Sequence, residues 1–290
     1  MNTAYHPFSI VPTSSNYLVG KTFKEVADSY VNHGGDRRYL RKIIQEIGDQ
    51  SMATLHPFDI QQVAIRLYPE HSAATRNRQA LTPIRAVMNH GYDRGWCPLV
   101  RLRRFKEEKP KRAEPPGDGW MFAFIRQCEA DNLPHLAAIA VFMSQTGARV
   151  SEAVALMWDQ VDLVGRTALL LKTKTSTHSS RHLTDEIISR FYALGPRNGM
   201  RVFRFTNRHS VNERIRAVCR RAKIKYKPSH AIGRRKFATS LMAMGVDVKT
   251  AMDAGGWVSA SVFLGTYVFT KNAGRVVSEK FNMLRYDEAV

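Results

Sequence analysis

With 290 residues and 44% hydrophobic side chains, the chain is long enough for one large or two modest domains and apolar enough for an ordinary core. Its formal net charge of +19 far exceeds what solubility requires and points to a polyanionic partner, nucleic acid first. The N-terminus lacks a signal peptide's charged start and apolar run, and no stretch approaches the roughly 18 apolar residues of a membrane span. The 3 cysteines, Cys97, Cys128 and Cys219, have no metal-ligand spacing, so a disulfide framework and a zinc module are excluded and a reducing cytoplasm is expected.

In chain order, residues 1–20 carry Pro7, Pro12 and Ser14-Ser15 and read as a flexible arm. Thr22 with Glu25 is a capping-box signature, and Phe23, Val26, Ala27, Tyr30 and Val31 follow at helical spacing. After Gly34-Gly35, Tyr39, Leu40, Ile43, Ile44 and Ile47 mark a second helix, and Pro57 opens a third with Ile60, Val63, Ala64 and Leu67. A fourth runs from about Ala73 to His90, burying Leu81, Ile84, Val87 and Met88 and leaving Arg76, Arg78 and Arg85 on the outer face. Residues 21–105 thus predict a helical domain with a basic surface.

From Arg101 the composition shifts. Arg101, Arg103, Arg104, Lys106, Lys109, Lys111 and Arg112 lead into Pro110, Pro115, Pro116 and Gly117, which predicts an extended, exposed linker over 106–118 whose cations suit a phosphate backbone. Residues 119–290 form the second domain. Trp120 to Cys128 and Pro134 to Gln145 read as helices, the latter apolar nearly all round. Thr146-Gly147 makes a turn, and Arg149 begins the next helix. Asp159 to Thr184 changes to short apolar runs, Thr167 to Leu171 the clearest, and reads as a small antiparallel sheet with Lys172 and Lys174 at a strand end. Helices are expected again over Asp185–Leu194 and Ser210–Lys223, around Phe237 to Met242, and in a tail with Val276, Val277, Phe281, Met283 and Leu284. The fold class is mainly α with a small antiparallel β-sheet.

The chain has no G-x-x-x-x-G-K-[ST] loop, no H-E-x-x-H and no magnesium-type carboxylate cluster, and His178 and His182 sit in a polar loop rather than on a helix. No cofactor and no metal are expected. A phosphate-directed enzyme of this kind draws its positive charge from side chains, and arginine suits because its planar fork meets two phosphate oxygens at once. Arg149 and Arg234 are the best-placed pair, with His230 on the same helical edge as Arg234 if that helix begins near His230.

T-G-A-R-V-S-E-A-V-A-L at 146–156, the strand-end lysine 174, H-A-I-G-R-R-K-F-A-T at 230–239 and A-G-G-W…T-Y at 254–267 resemble the ordered signature of the tyrosine recombinases, also called phage-type integrases. The likeness spans roughly residues 20–285. It implies a helical core-binding domain and an α+β catalytic domain forming a C-shaped clamp on DNA. It also implies site-specific recombination through a covalent 3′-phosphotyrosine, without ATP or metal.

Carried over, the resemblance places Arg149 and Arg234 on the scissile phosphate and makes Lys174 the proton donor to the leaving 5′ oxygen, with Lys172 the alternative in register. His230 is a base or hydrogen-bond donor, Trp257 stands where many members have a second histidine, Tyr267 is the nucleophile, and Glu152, one turn after Arg149, is an acid that supports the site from behind. A phenol of ordinary pKa, about 10, needs nearby cations or a base to attack at neutral pH, and the same cations stabilise the charge that develops on phosphorus. Arg76, Arg78, Arg85, Arg101, Arg103, Arg104 and Lys106 are the expected DNA-backbone contacts.

The implied partners are double-stranded DNA with an inverted-repeat recombination site, other copies of the chain in a tetramer on DNA, and host bending or directionality factors. Off DNA the chain is expected as a monomer or weak oligomer, in the cytoplasm. Two other readings use the same features: a DNA-binding relative that has lost cleavage, and a relaxase of the type IB topoisomerase kind. Two intervals depart from the family pattern. His230 precedes Arg234 by one residue more than the usual H-x-x-R, and the Trp257–Tyr267 interval is one residue longer than the commonest, which would displace the phenol.

Overall fold

Thr22 starts the folded chain. Its hydroxyl accepts from the Glu25 backbone N–H at 3.3 Å while the Glu25 carboxylate accepts from the Thr22 N–H at 2.7 Å, the reciprocal cap that this spacing predicts. The computed structural model describes residues 20–108, 114–171, 178–270 and 272–283, so the expected N-terminal arm, apart from Gly20, and both Lys172 and Lys174 lie outside the described residues. The chain divides into two compact units, Met1–Pro110 and Lys111–Val290.

The first unit holds α1 (Phe23–Asn32), α2 (Leu40–Ile47), α3 (Pro57–Leu67), α4 (Ala73–Arg76), a π turn (Asn77–Leu81) and α5 (Thr82–Tyr92). Apolar residues three and four apart give each long helix one inward stripe, and Phe23, Val26, Ile43, Ile60, Leu81 and Ile84 form a closed core. The run expected as one helix from Ala73 to His90 is interrupted: the Thr82 N–H reaches back to the Asn77 carbonyl, a π turn.

That turn buries Asn77 completely. Its amide donates to the Phe105 carbonyl and accepts from the Phe105 N–H, both at 2.9 Å. The Gln61 amide donates to the Arg103 carbonyl at 3.0 Å, and Leu102 is buried in the core. The stretch just before the expected linker, Arg101 to Phe105, is therefore docked on its own unit through Leu102, Phe105 and its backbone, while its basic side chains stay exposed. The pattern of charge hides two apolar anchors and a backbone that Asn77 can pair.

Two half-buried arginines of the basic face also bond within the unit. Arg76 donates from Nε to the Tyr68 carbonyl at 2.9 Å and from Nη2 to the Pro69 carbonyl, and Arg85 Nη2 donates to the Leu102 carbonyl at 2.6 Å. Both tie the unit together, whereas Arg78, Arg101, Arg103, Arg104 and Lys106 are exposed, Arg104 paired with Glu107 at 2.8 Å.

In the second unit Pro115 and Pro116, expected in an exposed linker, are buried, and Lys227 Nζ donates to the Glu114 carbonyl at 2.7 Å. There follow α6 (Asp118–Ala130), α7 (Pro134–Thr146), α8 (Val150–Ala155), β1 (Val161–Asp162), β2 (Thr167–Leu170), β3 (Ser179–His182), α9 (Asp185–Leu194) and α10 (Arg208–Arg221). Next come a π turn (Ala231–Arg235), α11 (Lys236–Ala243), α12 (Val248–Gly255), α13 (Ala260–Val262), a π turn (Phe263–Tyr267) and α14 (Ala273–Met283). α7 is the central rod, with Leu136 to Met143 buried on every side, as its unbroken apolar sequence dictates. The three strands lie in order β1-β2-β3, antiparallel, with Ala168 facing Arg181. The third strand reads Ser-Ser-Arg-His, so His182, expected in a polar loop, is on a strand.

The turn after α7 is set by Gly147, whose φ of +66° is a left-handed C-cap. A Cβ there would stand 2.6 Å from Phe237 Cδ1. Gly147→Ala combines left-handed strain with that clash and is expected to destabilise the second unit by about 2 kcal/mol, several degrees of melting temperature. A calorimetric melt unchanged from the wild type would contradict this account of the turn.

The buried thiols behave as packing groups. Burial raises Cys97 to about 11 and Cys128 to about 12 and also raises Cys219, far from the range of a reactive thiolate.

Candidate active site

Arg149 is the N-cap residue of α8. Glu152 accepts from the Arg149 backbone N–H at 2.8 Å and from its Nη1 at 2.6 Å, so one carboxylate caps the helix and holds the guanidinium. With the Glu152 side chain only 9% exposed and that of Arg149 45% exposed, the acid lies behind and the cation faces out. Arg208 and His209, at the start of α10 where Asn207 caps the helix, lie on the wall of the same cavity. The sequence stripe started that helix at Ser210 and overlooked both; the Asn207 cap was the available signal.

Arg234 is the most deeply buried cation among the described residues, 1% exposed. Its Nη1 donates to the carbonyls of Gly147 and Gly255, both at 3.0 Å, joining the turn before Arg149 to the turn before Trp257. The guanidinium carbon stands 3.7 Å above the Trp257 ring and 5.1 Å from the Tyr267 ring. Its Nε and Nη2 hydrogens meet no acceptor among the described residues. Burial, and then the neighbouring Arg149, lower Arg234 to about 10, with Tyr267 and Glu152 acting in the opposite sense, so it stays charged at neutral pH.

His230, Arg149 and Arg234 line one cavity of roughly 420 Å³. The His230 ring lies 5.4 Å from that of Tyr267, and Trp257 meets Tyr267 edge-on at 5.1 Å. Trp257 is buried, stacked with Phe237 and against Phe263, and its indole N–H also has no acceptor among the described residues. The site thus gathers two guanidiniums, an imidazole, an indole N–H and a phenol.

The two lengthened intervals coincide with two π turns. Ala231–Arg235 is one, the Lys236 N–H reaching the Ala231 carbonyl, and it begins directly after His230. Phe263–Tyr267 is the other, the Val268 N–H bonding the Phe263 carbonyl at 3.2 Å, and it ends on Tyr267. A π turn takes up one more residue than an α turn at little change in helix direction. The expected displacement of the phenol is thereby corrected, since the extra residue before Tyr267 is absorbed where it arises and the ring still meets His230 and Trp257.

His230 keeps an edge open to solvent, yet enough protein crowds it that desolvation is the first cause lowering its pKa, followed by Arg235, Arg234 and Arg149. The neutral imidazole is favoured in the folded chain below the ordinary histidine range, and protonating it there opposes folding. Among the described residues no three His, Cys, Asp or Glu side chains converge as a metal site would need, and no helix is long and apolar enough to cross a membrane.

The assembled architecture has known counterparts. It is similar to the Tn1549 transposon integrase in complex with circular intermediate DNA (TM-score 0.68, 14% identity, 89% of this chain and 99% of that one). It is also similar to the lambda integrase tetramer bound to a Holliday junction (TM-score 0.66, 14% identity, 86% and 78%). In sequence it is 27% identical over 139 residues to tyrosine recombinase XerC of Pediococcus pentosaceus, an alignment covering 46% of either chain, so the match spans about half the length of that curated relative. Residues 121–272, more than half of the chain and the segment that carries Arg149, His230, Arg234, Trp257 and Tyr267, match the phage integrase family, and the chain belongs to that family.

Proposed function

We propose that this chain is a site-specific DNA recombinase that cleaves and rejoins strands through a covalent 3′-phosphotyrosine. The observation that carries this reading is Arg234: a fully buried guanidinium, charged at neutral pH, whose Nε and Nη2 have no close acceptor among the described residues and which lies beside the Tyr267 phenol that helps to keep it charged. Leaving a buried cation so underpaired is costly, and a phosphate at the mouth of the cavity is the ligand whose oxygens and charge offset that cost.

In the proposed reaction Tyr267 attacks the scissile phosphorus, and its proton leaves by way of His230 or water. Arg149 and Arg234 bind the non-bridging oxygens, where charge grows in the transition state, with Glu152 fixing Arg149. The Trp257 indole donates to the same phosphate. Lys174, or Lys172 in its place, protonates the departing 5′ oxygen. The phosphotyrosine keeps the energy of the broken ester, and attack by another strand's 5′ hydroxyl reverses the step and frees the tyrosine, with no ATP consumed.

Arg78, Arg101, Arg103, Arg104 and Lys106 add salt-dependent affinity for the backbone of a duplex carrying inverted repeats. Val276, Val277, Phe281 and Met283 of α14 are all exposed, which supports assembly of copies into a tetramer on DNA. Host bending or directionality factors join where the site requires them. Acting on cellular DNA, the protein works in the cytoplasm.

The test uses a nicked suicide duplex built on inverted repeats flanking the gene. Purified protein is expected to give an adduct that survives SDS, with the DNA on the peptide containing Tyr267. Tight duplex binding without an adduct would favour a non-cleaving relative, and relaxation of any supercoiled plasmid by the monomer would favour the topoisomerase reading.

The state of His230 adds a pH prediction. Because the neutral imidazole is favoured, the adduct rate should hold level as pH falls to the ordinary histidine range and decline only below it. His230→Gln should flatten that acid limb, and a limb unchanged in the variant would assign it to another group.

A further inference from the structure

Arg181 is a second deeply buried arginine, 4% exposed, on the third strand of the sheet. It faces inward from an otherwise polar strand opposite Ala168. Its Nη1 donates to Ser179 Oγ at 2.7 Å and to the Ser180 carbonyl at 3.2 Å, and its Nη2 donates to the Gly255 carbonyl at 3.0 Å. That carbonyl also takes Arg234 Nη1 at 3.0 Å. One oxygen with two lone pairs thus serves two guanidiniums.

The glycines at 255 and 256 fit this clamp. Gly256 has φ +66°, and a Cβ on it would stand 3.0 Å from Arg181 Nη2, while a Cβ on Gly255 would stand 1.7 Å from the Trp257 ring. The turn that seats Trp257 is therefore pressed between its own indole and Arg181. Among the described residues no carboxylate pairs directly with Arg181; Glu152, bonded to Arg149, is the acid that acts on both buried guanidiniums. An apolar side chain of similar volume would fill the space at lower cost than this cation.

We infer that Arg181 is a positioning residue for strand cleavage: by holding the Gly255 carbonyl it fixes the acceptor that aims Arg234 and the turn that seats Trp257. The inference rests on the recombinase reading, in which Arg234 and Trp257 meet the phosphate. It also links the site to the β2–β3 hairpin, because the segment between those strands contains Lys172 and Lys174.

The test compares full-length wild type, Arg181→Lys and Arg181→Met in melting temperature, duplex affinity and single-turnover adduct formation. Two suicide duplexes are used, one with the natural scissile 5′ oxygen and one with sulfur in its place, a leaving group that needs no proton. Expected is a graded slowing at preserved duplex affinity, about tenfold for lysine and on the order of a hundredfold for methionine, equal on both duplexes. Either variant cleaving at the wild-type rate while folded overturns the inference. Rescue by sulfur overturns it too, because the loss would then lie in proton delivery from the hairpin. Should the methionine variant fail to fold, the lysine variant decides by the same criteria. Wild type forming no adduct on either duplex overturns the recombinase reading, and this assignment with it.

Discussion

Tyr267→Phe is expected to abolish the SDS-resistant adduct and to leave the duplex bound. The substitution removes one oxygen and keeps the ring, whose contacts with His230 at 5.4 Å and Trp257 at 5.1 Å are made by the aromatic faces and edges. The backbone is held independently, by the Val268 N–H on the Phe263 carbonyl at 3.2 Å and by Thr239, whose hydroxyl donates to the Tyr267 carbonyl at 3.4 Å. Loss of the hydroxyl should cost the fold no more than about 1 kcal/mol. Loss of the nucleophile in a covalent mechanism costs on the order of 10⁴–10⁶ in rate, below detection in a suicide assay. Duplex affinity stays near that of the wild type because it comes from many phosphate contacts along a chain of net charge +19. An adduct that persists in the variant would transfer the nucleophile's role to another side chain.

How much of this was written in the sequence differs by element. The capping box at Thr22–Glu25, the buried rod Pro134–Thr146 and the Gly147 turn follow from local chemistry and were legible as such. The full grouping was less so: spacing suggested His230 beside Arg234, and the chemistry of phosphate suggested Arg149 with Arg234, but no periodicity joins residues 149 and 267, and the family resemblance brought Tyr267 to Arg149. The third strand escaped hydropathy because its inward residue is Arg181, a cation held by carbonyls rather than an apolar side chain. The π turns escaped because one added residue barely changes a helical stripe. Their trace was the pair of lengthened intervals, visible only against a pattern from elsewhere. Asn77 and Arg85 escaped for a third reason: a side chain that bonds a distant backbone looks, in sequence, like any surface polar residue.

Arg234→Lys should slow adduct formation by on the order of 10²–10³ while the melting temperature stays within a few degrees of the wild type. The substitution separates charge from geometry. Arg234 uses Nη1 for the Gly147 and Gly255 carbonyls and keeps Nε and Nη2 unpaired among the described residues, so a single planar group both ties two turns together and presents a rigid pair of donors. An ammonium can satisfy a carbonyl or face a phosphate but cannot do both with fixed geometry. It also loses the flat stacking of the guanidinium, 3.7 Å above Trp257. Stability should fall little, because Gly255 keeps its bond from Arg181 at 3.0 Å and the buried cation was itself costly. Duplex binding should weaken only slightly, its salt slope changing by about one phosphate contact or less. The alkaline side provides an internal control: burial lowers Arg234 only to about 10, and a lysine in the same place starts from a lower ordinary pKa and loses its charge first, so the wild type's advantage should widen as pH rises toward that value. A lysine variant that cleaves within about tenfold of the wild type would show that charge alone suffices, and the two-pronged contact with phosphate would have to be abandoned.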